Sequence, residues 1–173
     1  MDKKMNLIEL TEALKQKTKG TYMAVDFSAD TVKRLRKFMK DHDIPNRVPK
    51  EKYHTTVIYS RKYLPDVKAL GKIDPPWIGK PVKLDIFTSK EGNNCLVLLF
   101  SCKELVKRHE QIMDEHKATY DFPEYHAHIT MSYNCGDFDP KSIKDFSSIG
   151  DIEIVNEYAE DLNLDWAKTE GSE

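Results

Sequence analysis

The stretch Tyr53-His54-Thr55-Thr56-Val57-Ile58-Tyr59 reads as a strand that carries a histidine and, two residues on, a threonine; His128-Ile129-Thr130 repeats that pattern later in the chain. Side chains at i and i+2 of a strand project to one face, so each motif presents an imidazole beside a hydroxyl. Two such pairs facing each other supply a general acid, a general base and two hydroxyl donors. That set suits phosphodiester cleavage without a metal: one histidine takes the proton of an attacking hydroxyl, the other protonates the leaving oxygen, and the hydroxyls hold the charged phosphoryl oxygens. His54, Thr56, His128 and Thr130 are therefore the candidate catalytic residues. His126 shares a face with His128 but has no threonine two residues on, which makes it a neighbour that tunes or orients the site.

Outward from the motifs, the same order of elements occurs twice. Tyr22-Met23-Ala24-Val25-Asp26-Phe27-Ser28 alternates like a strand and is followed by Val32, Leu35 and Met39 at helical spacing, then by His54. Cys95-Leu96-Val97-Leu98-Leu99-Phe100-Ser101 is followed by Leu105, Val106, His109 and Met113, then by His128. Phe27 precedes His54 by 27 residues (54 − 27) and Phe100 precedes His128 by 28 (128 − 100). Two copies of a strand-helix-strand unit follow from this spacing. A pseudo-twofold between them would bring the motif strands together across a groove. The predicted fold is α+β: two pseudo-symmetric lobes of antiparallel sheet with outer helices and the His-x-Thr strands facing a central groove. The 173 residues form a single two-lobed domain, with lobes at about 20–70 and 80–160.

The remaining segments fall around this frame. Leu7, Leu10 and Leu14, closed by Lys19-Gly20, predict an amphipathic helix over residues 6–17. Residues 43–49 hold two prolines and an asparagine and read as a loop beside the first motif. Asp74-Pro75-Pro76-Trp77-Ile78-Gly79 is expected to break all regular structure and to mark the connection between lobes. Residues 82–88 and 95–101 read as strands joined by a hairpin-like turn, residues 151–158 as a further strand, and residues 168–173 as a frayed polar end.

Composition narrows the function classes. A net charge of −2 and a pI near 6.3 provide no global basic field, so long nucleic acid is not an expected partner. Local charge for a small nucleotide can come from Lys50, Lys52, Arg61 and Lys62 around the first motif. Cys95, Cys102 and Cys135 form neither an even set nor a Cys-x-x-Cys pair, as expected in a reducing compartment. Without a long apolar segment or a signal-peptide core, the chain is expected to be soluble and cytoplasmic, with no membrane or obligate protein partner. No cofactor is implied. His126, His128 and Cys135 do not have the spacing of a standard zinc framework.

The paired motifs, each preceded by a strand and a helix, resemble the 2H phosphoesterase superfamily. Within it, Gly20-Thr21-Tyr22-Met23-Ala24-Val25, Ile44-Pro45-Asn46 and the run from Tyr53 to Pro65 resemble the phage anti-CBASS phosphodiesterases, over about residues 11–166. That resemblance implies degradation of the cyclic oligonucleotide messengers of a bacterial antiphage signalling system, in the host cytoplasm if the chain is phage-encoded. It also implies base stacking by Tyr22 and Trp166 and an acidic contact from Glu160 to adenine's exocyclic amine. Tyr125 and Tyr133 flank the second motif and are further candidates for substrate contact. Other readings are a 2H enzyme acting on RNA 2′,3′-cyclic phosphate ends or 2′-5′ oligoadenylates, and a protein that sequesters nucleotides without cleaving them.

Overall fold

The computed structural model describes residues 19–120 and 124–163. The expected helix over 6–17, Trp166 and the polar end lie outside the described residues. The elements, in chain order, are β1 (Lys19–Phe27), α1 (Ala29–Asp41), β2 (Thr55–Ser60), β3 (Gly71–Thr88), β4 (Asn94–Ser101), α2 (Lys103–Glu115), β5 (His128–Ser132) and β6 (Ile152–Asn163). Every strand pair is antiparallel, and the sheet order is β2-β1-β6-β3-β4-β5. The result is an α+β fold of antiparallel sheet with outer helices.

Each helix buries one stripe. On α1 it is Thr31, Leu35, Phe38 and Met39; on α2 it is Leu105, Arg108, His109 and Ile112. These stripes meet strand residues such as Met23, Ile58, Leu96, Leu98, Ile129 and Met131 in one buried cluster. Val106, expected on the buried stripe of α2, is 38 % exposed, because Arg108 occupies that face and meets buried Glu157. The α1 start is fixed by Ser28, whose Oγ accepts the Thr31 N–H at 3.2 Å. Cys102 holds the same place before α2 without a side-chain cap. Both helices are 13 residues long, and both end 13 residues before their histidine (54 − 41 and 128 − 115). The one-residue difference between the two repeat intervals therefore arises where β4 hands over to α2.

The segment from Asp74 to Gly79 does not break regular structure: it lies inside β3, an 18-residue strand. Pro75 and Pro76 fall within a register shift between Lys72 and Trp77, where the ladder to β6 is interrupted and a missing N–H costs no bond. Past the shift, Trp77 pairs with Ile154, and from Lys80 onward the strand pairs with β4. β3 thus belongs to both halves of the sheet. The expected turn after it closes with Ser89 N–H donating to Asn93 O at 2.8 Å, and Gly92 takes a φ of 84° there.

In a flat sheet of this order, β2 and β5 would lie about 24 Å apart, five strand spacings. Instead, Thr55 Oγ1 on β2 donates to the His128 carbonyl on β5 at 2.8 Å. The sheet is bent until its two outermost strands meet.

Candidate active site

The two histidines are held alike. His54 Nδ1 donates to the Lys52 carbonyl at 2.8 Å, and His128 Nδ1 donates to the His126 carbonyl at 2.9 Å, each reaching back two residues. A carbonyl oxygen only accepts, so Nδ1 carries the proton in both rings, and in the neutral form Nε2 holds the lone pair. His126 therefore orients the second motif through its backbone, while its own ring meets Glu124 at 3.3 Å.

A bulge follows each motif threonine. Ala24 faces Thr56 and Met23 faces Ile58, which leaves Val57 as the extra residue on β2. Val97 faces Thr130 and Leu96 faces Ser132, which leaves Met131 extra on β5. Bulges re-aim the side chains beside them and recur next to active sites. Here each lies immediately after the motif threonine. The carbonyls they turn outward are satisfied from elsewhere in the chain: Val57 O by His109 Nδ1 at 2.7 Å, Met131 O by Val48 N–H at 2.8 Å. The loop over 43–49 thus reaches across to the second motif, and Asn46 Nδ2 adds a bond to Asn134 O at 2.8 Å.

Tyr125, a candidate for substrate contact, lies outside the described cavity lining. Its hydroxyl donates to Thr56 O at 2.6 Å, and its ring stacks on His109 with centroids 4.3 Å apart. Burial pushes the Tyr125 phenol far up, so it stays a donor, and burial also holds the His109 imidazole below its ordinary value. Buried His109 and half-buried Tyr125 form a prop behind the first motif.

A cavity of about 360 Å³ opens between the motifs, lined by Thr56, His128 and Thr130 and walled by Tyr59, Phe87 and Tyr133. His54 and Tyr22 are not among the described lining residues; they lie edge-on to each other with ring centroids 6.4 Å apart, and the Tyr22 hydroxyl bonds Thr56 Oγ1 of the lining at 3.1 Å. Glu160 is exposed and faces Tyr22 across the β1–β6 ladder. Tyr22 thus links His54, Thr56 and Glu160 by ring contact, hydrogen bond and strand register, while of the predicted catalytic residues Thr56, His128 and Thr130 line the cavity. Lys50, Lys52, Arg61 and Lys62 are not among the described lining residues. Among the described residues, no group of three His, Cys, Asp or Glu side chains is placed to hold a metal ion, and no helix is long and apolar enough to cross a membrane.

The sequence model of the family described as "Anti-CBASS protein Acb1" matches residues 19–169. The chain belongs to the anti-CBASS protein Acb1 family. Family members include the protein of that name from Enterobacteria phage T4, 36 % identical over 152 residues, covering 86 % of this chain and 91 % of that one. The Acinetobacter phage Ac42 member is 34 % identical over 151 residues, covering 86 % and 94 %. Among solved structures, apo LigT from E. coli shares the fold, with a TM-score of 0.51 at 11 % identity over 84 % of this chain and 88 % of that one.

Within this Acb1-family site, sequence reasoning missed His109, the strap from Thr55 and both bulges. His109 was visible only as a helix-stripe position. A repeated tyrosine three residues after each motif threonine, Tyr59 and Tyr133, is the signal that marks the cavity wall.

Proposed function

We propose that this chain is a 2H-type, metal-independent phosphodiesterase. It opens 3′-5′ bonds of cyclic di- or trinucleotide messengers such as 3′,3′-cyclic GMP-AMP and so counters CBASS immunity in the reducing cytoplasm. In this reading the described residues belong to one domain of two pseudo-symmetric lobes, with the His-x-Thr strands facing a central groove. The observation that carries it is the matched environment of the two motifs: the same Nδ1 bond two residues back, the same bulge after each threonine, and the 2.8 Å bond from Thr55 to the His128 carbonyl that joins them.

One histidine accepts the ribose 2′-hydroxyl proton at Nε2 as the 2′-oxygen attacks the adjacent phosphorus. The bond from phosphorus to the 5′-oxygen breaks, and the other histidine, protonated, gives its proton to that oxygen. Thr56 and Thr130 donate to the phosphoryl oxygens as charge builds there. The products are a 2′,3′-cyclic phosphate and a 5′-hydroxyl; water opens the cyclic phosphate when the two histidines exchange roles. The internal nucleophile gains from proximity, which is why no metal is required. Tyr22 and Trp166 stack one base, and Glu160 accepts from its amino group.

The test is incubation in EDTA with 3′,3′-cyclic GMP-AMP, with products identified by mass spectrometry. Linear product from the wild type, absent with His54→Ala, with His128→Ala and with a 2′-deoxy analogue, is the expected result. Cleavage only of linear 2′-5′ or 2′,3′-cyclic substrates would move the assignment within the superfamily. Recovery of intact ligand from a stable complex would make the protein a sequestering one.

A further inference from the structure

Among the described residues no ladder joins β2 to β5: they stand at opposite ends of the sheet order, so other bonds set the separation of the two motifs. Those bonds close on themselves. Thr55 Oγ1 donates to the His128 carbonyl at 2.8 Å, and the His128 ring donates from Nδ1 to the His126 carbonyl at 2.9 Å. His126 follows Tyr125, whose hydroxyl donates to the Thr56 carbonyl at 2.6 Å, and Thr56 follows Thr55. Three hydrogen bonds and two chain steps thus make a circuit through the backbone of the first motif and the ring of the second.

The wider contacts cross in the same way. Thr119, on the segment leading to the second motif, holds the end of β2: its N–H donates to Ser60 Oγ at 3.0 Å and its Oγ1 accepts the Arg61 N–H at 3.0 Å. Val48 and Asn46, on the segment leading to the first motif, hold the Met131 and Asn134 carbonyls. Each motif is steadied by the segment that delivers the other. We propose that the circuit fixes the spacing of the acid and the base, and that Tyr125 and Thr55 are positioning residues acting through Thr56 and His128. Tyr125 supplies a hydrogen bond and keeps its proton, because burial holds the phenol far above its ordinary range. Both histidines serve in each step of the reaction, so an error in their spacing slows both steps.

The proposal rests on the two-histidine reading of the site, and its test separates them. Steady-state cleavage of 3′,3′-cyclic GMP-AMP is compared for the wild type, Tyr125→Phe, Thr55→Val and the double variant, at a temperature where thermal melts show each to be folded. Each single variant should lower kcat about tenfold or more with KM nearly unchanged, since a misplaced group costs rate and not binding. The double variant should lose little beyond either single one, because a circuit opened once is already open. Thr55→Ser keeps the hydroxyl and should recover most of the rate. Tyr125→Phe should also shift the His128 imidazole resonances in nuclear magnetic resonance spectra, a change that requires no turnover. With wild-type cleavage present, unchanged kcat in the folded variants, a loss carried by KM, or losses that multiply in the double variant overturn the circuit and leave the enzyme assignment standing. Absence of cleavage by the wild type removes the assignment and the positioning role together.

Discussion

His54 and His128 illustrate how much a single side chain can owe to a neighbour's backbone. Each imidazole is fixed by a carbonyl two residues behind it, so Nε2 has a defined direction before substrate arrives. If the proposed mechanism holds, replacing either histidine by alanine should lower turnover by about 10² to 10⁴, with binding, measured by calorimetry, largely kept. On the same mechanism, Thr56→Val and Thr130→Val each delete a proposed donor to the phosphoryl group and should lower kcat by about 10² in steady-state assays, with a smaller change in KM. The pairing of each histidine with a threonine two residues on was visible in the sequence, and the matched backbone bonds of the two rings appear only in the structure. Tyr125 was not legible as a support. Its hydroxyl reaches Thr56 across 69 residues of chain, and a tyrosine beside a motif offers equal reason to contact ligand or backbone.

At the level of elements, the sequence showed both strand-helix-strand units and the sixth strand, since each carries a clear period. It misplaced the path through Pro75 and Pro76. A proline is read as a break unless one knows that the ladder is already interrupted there, and that interruption belongs to the β3–β6 pairing, not to the local sequence. The bulges were hidden for the same reason: an extra residue on one strand is defined only against its partner. The support behind β2 has a pH signature. Buried His109 is neutral when folded, held below the ordinary 6.5, whereas the unfolded chain takes up its proton as pH falls through that value. Its contribution to stability is complete above 6.5 and is lost as pH drops from there toward the lowered folded value. His109→Asn retains an N–H donor for Val57 and does not titrate. Thermal melts between about pH 7 and pH 5 should therefore show a flatter slope for this variant than for the wild type.

Across the whole molecule, a buried ion pair ties the parts that the chain order keeps apart. Arg108 on α2 meets Glu157 on β6 at 2.9 Å, with the two side chains 9 % and 0 % exposed, and also donates to Lys68 O at 2.9 Å. Leu70 N–H donates to the same carboxylate at 3.0 Å. Arg108→Met leaves that carboxylate buried without its counter-charge and should cost about 3–5 kcal/mol in urea unfolding. No periodicity announces such a pair, because arginine on an amphipathic helix ordinarily faces water. The meeting of β2 with β5 has a different kind of consequence. The outermost strands of an open sheet are templates on which another chain can add a strand, yet here Thr56, Val57 and Met131 have their outward carbonyls taken by Tyr125, His109 and Val48. The bonds that aim the motifs thus also guard against self-association. Losing them would invite fibrils and turbidity in a crowded cell, a hazard quite separate from any lost chemistry.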